Sequence, residues 1–264
     1  MSSIGLTIFV TILPVILILV FVNSKDKTKE PLGLLIKLFL SGIISCFLTL
    51  GISFIMEKYV PFMNPELRSE KFVYTFLYAF IGVALIEEIF KWIMVYFIGY
   101  KNKKFDELYD IIVYSVFVSL GFACIENIIS LITYGNAELS VAIIRAISAV
   151  PGHACDAIFM GYYLCLAKQF CIKNDKKQEK DNIYLSILVP TLLHGIYDFC
   201  LMSDQIVLII IFILFIIFLY YISIKKLNQA SKENRPLINT MRLCPNCGAK
   251  VEKEFCPVCG KKIQ

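Results

Sequence analysis

The sequence predicts an all-α polytopic membrane protein of about seven transmembrane helices, closed by a small cysteine-bearing C-terminal module. Three observations predict it. Apolar residues make up 58% of the 264 residues, with a mean hydropathy of +0.72. Only 18% of residues are charged, and they gather in short stretches between apolar runs. Those runs are long enough to cross ~30 Å of hydrocarbon at ~1.5 Å per residue. An ordinary water-soluble domain is excluded. The net charge of +5 does not point to nucleic acid, because Lys and Arg fall between the apolar runs rather than on a separate basic domain. The lipid bilayer is the expected surrounding, and no nucleic-acid partner is expected.

Taken in order, the expected spans are Ile4 to Val22, Leu32 to Met56, Phe72 to Ile98, Tyr109 to Thr133, Leu139 to Ala167, Ile183 to Met202 and Gln205 to Ile224. The first has no basic residue ahead of it and no small-residue cleavage pattern behind it, so it reads as a retained helix and not a removable signal peptide. The last is almost unbroken Ile, Leu, Phe and Val. The break at Ser203-Asp204 is so short that the final two spans must form a tight antiparallel hairpin or a bent pair.

Lysines accumulate after the first span (Lys25, Lys27, Lys29), the third (Lys101, Lys103, Lys104), the fifth (Lys168, Lys173, Lys176, Lys177, Lys180) and the last (Lys225, Lys226). The intervening segments contain less positive charge. This alternation predicts a multi-pass protein of the cell membrane with its N-terminus outside and its C-terminus in the cytoplasm.

The C-terminal module carries Cys244-Pro-Asn-Cys247-Gly and Cys256-Pro-Val-Cys259-Gly, two Cys-x-x-Cys knuckles separated by eight residues. That is the spacing of a short zinc ribbon, in which four thiolates close a tetrahedral Zn2+ site and the following glycines permit tight turns. A segment of ~20 residues buries little core, so the metal must supply most of its folding free energy. A disulfide-linked tail is disfavoured in a reducing cytoplasm. Four sulfur ligands leave no open position for chemistry, so this Zn2+ is structural, and the ribbon is a place where a cytoplasmic protein would dock. The expected division is therefore 1–226 for the membrane domain, 227–241 for a polar linker and 242–264 for the ribbon.

The chemistry lies in the membrane. The third span contains Glu87, Glu88 and Lys91, and each ionisable group costs on the order of 3 kcal/mol at the bilayer centre, so all should face a protein interior or cavity. Lys91 is four residues from Glu87 and three from Glu88, within pairing distance of either; neighbouring carboxylates diverge by ~100°, so one would pair while the other faces a reactive centre. A structural ion pair between helices is the competing reading. Glu126, followed by Asn127 in the fourth span, lacks a local cation and needs a partner on another helix, a metal or a proton.

The two histidines, His153 and His194, both sit in apolar spans, each with an aspartate (Asp156, Asp198) three or four residues later on nearly the same face. Arg145 lies about three helical turns before Asp156 and would share its face. With successive spans antiparallel, Glu87, Glu88, Glu126, His153 and His194 fall near one depth. Glu126, His153 and His194 would make an open three-ligand zinc site whose fourth position holds a nucleophilic water. Glu87 or Glu88 would move the proton from water to the leaving amine, which is peptide-hydrolysis chemistry. Lys91, Asn127, Arg145, Asp156 and Asp198 would orient these groups. The small residues Gly121, Gly152 and Gly195 would permit close helix packing or local opening.

Glu87-Glu88-Ile-Phe-Lys91 resembles the EExxK motif, Phe122-Ala-Cys-Ile-Glu126 the FxxxE motif and His194-Gly-Ile-Tyr-Asp198 the HxxxD motif of the PrsW family of intramembrane proteases. Arg145, Pro151-Gly-His153 and Met160-Gly-Tyr-Tyr also look like that family, and the likeness covers most of Phe72 to Met202. The family is related to the CAAX-processing and bacteriocin-immunity membrane proteases. The resemblance implies an intramembrane metalloendopeptidase cutting a membrane-anchored protein, with an anti-sigma factor as the kind of substrate, in bacterial regulated proteolysis. The residues alone leave another class open: a proton-coupled transporter, or a sensor signalling through the ribbon, would use the same buried Glu, His, Lys and Asp.

Overall fold

Seven helices long and apolar enough to cross a bilayer run through the computed structural model, which describes residues 3–133, 139–203, 205–237, 242–243, 246, 250–251 and 258–262. They are α1 (Ser3–Lys25), α2 (Leu32–Tyr59), α3 (Phe72–Tyr100), α4 (Asp110–Thr133), α5 (Leu139–Ile172), α6 (Lys176–Met202) and α7 (Ile206–Lys232). Each expected span appears, all but the fourth extended at one end or both, while the fourth keeps its expected length to within a residue. The sixth starts at Lys176 because Asp175 caps it, its side chain accepting from the Gln178 amide. The seventh continues to Lys232, past the expected boundary at 226, since nothing in Lys225 to Lys232 breaks a helix.

The inner helices are α4 and the second half of α5. Helix α4 packs against α2 on one side and α5 on the other, α6 lies against α5 and α3, and α7 covers α5 and α6. The α2–α4 crossing is set by two glycines. A Cβ on Gly42 would stand 1.9 Å from the Val118 carbonyl oxygen, and one on Gly121 would stand 2.0 Å from that of Phe39. Without side chains there the two backbones meet directly, the usual way to gain packing energy between helices in lipid. Ile206, Val207, Ile210, Leu214, Ile217 and Phe218 on α7 are exposed, as the lipid-facing side of a span requires.

Two irregularities position polar groups. In α3, π-helical turns at Tyr78–Leu85 and Val95–Tyr100 flank a regular turn, Ile86–Met94, that carries Glu87, Glu88 and Lys91. Such wide turns rotate the following residues and often accompany functional sites. Helix α5 breaks at Ser148 into Leu139–Ile147 and Ala149–Ile172. Pro151 has no amide to return to the Ile147 carbonyl, and the Tyr220 hydroxyl of α7 donates to that oxygen instead at 2.8 Å.

Beyond α7 the chain returns to α4: the Leu237 amide donates to the Asp106 carbonyl at 2.7 Å and the Leu108 amide to that of Arg235 at 3.2 Å. This part of the expected linker is docked. In the C-terminal module β1 (Arg242–Leu243) pairs antiparallel with β2 (Lys250–Val251), with Arg242 opposite Val251 and Leu243 opposite Lys250. The strands bracket the segment bearing the first cysteine pair. Cys244, Cys247 and Cys256 lie outside the described residues. Cys259 is exposed, and Gly260 takes φ +70°, a left-handed conformation that glycine adopts without strain.

Candidate active site

Four helices deliver the polar groups. Helix α3 brings Glu87, Glu88 and Lys91, α4 brings Glu126 and Asn127, α5 brings Arg145, His153 and Asp156, and α6 brings His194 and Asp198. Their side chains converge on a cavity of about 360 Å³ lined by Glu87, Glu126, Arg145, His153, Asp156, His194, Tyr197 and Asp198, together with Thr49 and Ser53 of α2 and Tyr78 of α3. Gly152 also lines it. A Cβ there would meet nothing nearer than 3.7 Å, so its small size leaves room in the cavity and is not spent on a helix contact.

Lys91 is wholly buried and sits at the centre. Its Nζ lies 2.8 Å from Glu88 Oε1, 3.2 Å from Glu87 Oε2 and 3.0 Å from His153 Nδ1, and 4.1 Å above the Phe122 ring. An ammonium can only donate, so His153 Nδ1 accepts and His153 Nε2 carries the hydrogen that it donates to Glu126 Oε2 at 3.0 Å. Glu126 is held from the other side by Arg145, whose Nη2 donates to Oε1 at 2.7 Å while its Nε donates to Asn127 Oδ1 at 2.6 Å.

His194 stands edge-on to His153, ring centroids 5.2 Å apart. Its Nδ1 lies 3.0 Å from Glu88 Oε1, and its Nε2 lies 3.4 Å from Asp198 Oδ2 and 3.9 Å from Glu87 Oε2. Glu88 therefore accepts from Nδ1–H and fixes the ring. A bare Nε2 lone pair facing two carboxylates is repulsive, so that nitrogen wants a proton or a cation.

One ligand atom from each of Glu88, His153, Asp156 and His194 lies within 4.8 Å of the others, and all four residues are buried. Glu88 Oε2 and Asp156 Oδ1 are buried without a hydrogen-bond partner among the described residues. Five carboxylates (Glu87, Glu88, Glu126, Asp156, Asp198) face two permanent cations, Lys91 and Arg145. Orphaned carboxylate oxygens in a buried site with excess negative charge are the surroundings a divalent metal fits.

The structure thus gathers every membrane residue singled out from sequence, with a different division among them. Glu126, expected beside the histidines as a ligand, is outside the four-residue group and is neutralised by Arg145. Asp156, expected to orient an imidazole, is inside it. Arg145 lines the same cavity as Asp156, on the other side of the break at Ser148, and pairs there with Glu126. Lys91 contacts both glutamates and not one. Sequence reading passed over Tyr197, which lines the cavity and donates to Ser148 Oγ at 2.9 Å. Its position three residues after His194, on the same helical face, was the available signal.

The profile of the PrsW family intramembrane metalloproteases matches residues 30–223, a stretch that contains all of these groups. The chain belongs to the PrsW family. It is accordingly an intramembrane protease, which sets aside the transporter and sensor readings. Relatives named Protease PrsW include those of Oceanobacillus iheyensis, 40% identical over 190 residues (72% of this chain and 80% of the relative), and of Bacillus subtilis, 36% over 193 residues (73% and 81%). That of Clostridioides difficile is 34% identical over 220 residues, covering 83% and 88%. No solved structure matches the chain. The PrsW match stops before the cysteine-bearing tail.

Proposed function

We propose that this PrsW-family chain is a zinc-dependent endopeptidase that cuts a membrane-anchored protein, an anti-sigma factor being the class of substrate that the motif resemblance implies. The supporting observation is the group Glu88, His153, Asp156 and His194, its ligand atoms within 4.8 Å of one another at the wall of the cavity, with Glu87 adjacent. Glu88, His153, Asp156 and His194 would hold the metal, His153 through Nδ1 in place of its contact with Lys91, since its Nε2–H is committed to Glu126. When bound, zinc supplies a Lewis acid and lowers the pKa of its water to ~7.

The rest follows from the chain's own side chains. Glu87 lines the cavity with a carboxylate oxygen 3.2 Å from Lys91 Nζ, close enough to be steadied yet free on its other side. It takes a proton from the attacking water as the new C–O bond forms. It then returns that proton to the amine as the C–N bond breaks. Lys91 keeps Glu87 and Glu88 from repelling each other. Arg145 holds Glu126, and Glu126 in turn orients His153 through Nε2. Asp198 steadies His194. The part of the cavity lined by Thr49, Ser53 and Tyr78 is where an extended peptide would enter from between α2 and α3.

By its loop lysines the protein lies with its N-terminus outside and its tail in the cytoplasm, and the tail is a zinc ribbon that binds a cytoplasmic partner. Zinc content tests the membrane site: a chain lacking the four tail cysteines should retain about one zinc, lost in His153→Ala and His194→Ala together with cleavage of a membrane reporter. Zinc absent while cleavage survives would replace this reading with a metal-free glutamate and histidine mechanism. Cleavage surviving both substitutions in folded protein would end it.

A further inference from the structure

A second cluster lies at the opposite end of the helices from the cavity mouth, where the loop after α1 meets the segment leading into α4. One ligand atom from each of Asp26, Glu107 and Asp110 lies within 4.8 Å of the others, and Glu30, Asp106 and Asp110 form a second triad sharing Asp110. These five carboxylates lie within the lysine-rich end, but among the described residues the lysine hydrogen-bonded there, Lys29, donates to the backbone carbonyls of Asn23 and Asp26 and not to a carboxylate.

Burial makes the cluster more than a solvated acidic patch. Asp110 is 0% and Asp26 is 3% exposed. Asp110 Oδ2 accepts from the amides of Asp106 at 3.1 Å and Glu107 at 2.7 Å, which leaves Oδ1 buried with no partner among the described residues. Asp26 Oδ1 accepts from the Thr28 amide at 3.2 Å, and its Oδ2 is likewise buried and unpartnered. Burial also pushes the carboxyls of Asp26 and Glu30 above their ordinary range, and neighbouring acids push the same way, opposed in part by Lys29 at Asp26 and Lys104 at Glu30. Two orphaned oxygens on fully enclosed aspartates are a costly arrangement unless a positive group faces them.

We propose that Asp26, Glu107 and Asp110 bind a hard divalent cation, Mg2+ or Ca2+, with Glu30 and Asp106 adding negative charge around it. All the donors are carboxylate oxygens, with no thiolate or imidazole, which selects this class over zinc. The site is independent of the catalytic reading. The cation would tie the α1–α2 turn to the start of α4 and, through Glu107, to the chain after α7. Glu107 accepts from Thr28 Oγ1 at 3.0 Å and from Asn234 Nδ2, and Asn234 Oδ1 accepts from the Tyr109 amide at 3.0 Å. A bound ion therefore holds down the segment from which the cysteine-bearing tail departs.

The test uses the full chain in neutral detergent, with Mg2+ or Ca2+ as the probe and NaCl of equal ionic strength as the control. A saturable rise of several degrees in the thermal midpoint is expected, from ligand binding to the folded state alone. Asp26→Asn should abolish that rise, and its midpoint without divalent ions should equal or exceed that of the wild type, since a repelling charge is gone. Asp110→Asn should do the same; if it fails to accumulate because its helix start is disturbed, Asp26→Asn, in a turn, decides alone. No rise with either ion, or an equal rise in Asp26→Asn, overturns the proposal.

Discussion

Replacing Lys91 by Met keeps an unbranched apolar stem and removes the ammonium that lies 2.8 Å from Glu88, 3.2 Å from Glu87 and 3.0 Å from His153. Packing changes little, because a near-isosteric swap costs under ~1.5 kcal/mol. The charge change dominates. Lys91 is fully buried, so water cannot screen the two carboxylates it leaves behind, and removing one partner of a buried ion pair costs about 3–5 kcal/mol. At ~2–4 °C per kcal/mol for a chain of this size, the thermal midpoint should fall by roughly 10 °C. Trp92 is the chain's single tryptophan and the next residue along, its Nε1 donating to Ser186 Oγ of α6 at 2.8 Å, so its fluorescence reports the α3–α6 contact in metal-free protein. Adding Glu88→Gln to Lys91→Met should recover part of the loss, because an amide needs no counter-charge. A Lys91→Met midpoint within ~2 °C of the wild type, or a double variant no more stable than the single, would refute the idea that Lys91 is the cluster's counter-ion.

Glu87→Gln should lower reporter cleavage by at least ~10²-fold while leaving the thermal midpoint close to that of the wild type, as expected of a general base and not of a structural ion pair. Equal losses of activity and stability would count against it. Gly121→Ala should destabilise the fold by about 2 kcal/mol or more, read as a lower midpoint, because its Cβ would press on the Phe39 carbonyl oxygen from 2.0 Å. Gly152→Ala should leave stability nearly unchanged and show instead in the KM of cleavage, since the added methyl enters the cavity.

Hydropathy determined the number and order of the spans, because a helix in lipid must satisfy its backbone internally and present apolar side chains over its whole length, a one-dimensional property. The identities of the polar residues were legible for the same reason: Glu87, Glu88, Lys91, Glu126, His153 and His194 stand out against apolar runs, and their cost in lipid requires partners. Which partners they take was not legible. Pairing depends on the rotation of each helix about its axis, and the π-helical turns of α3 and the break at Ser148 alter that rotation where simple 3.6-residue counting carries it forward. So Arg145 turned to Glu126 and Asp156 joined Glu88 and the histidines, while Lys91, on the regular stretch of α3, meets both glutamates at ordinary i+4 and i+3 spacing. The acidic cluster around Asp110 was invisible for a related reason. Its members come from segments about 80 residues apart, and only folding brings Asp26 against Asp110.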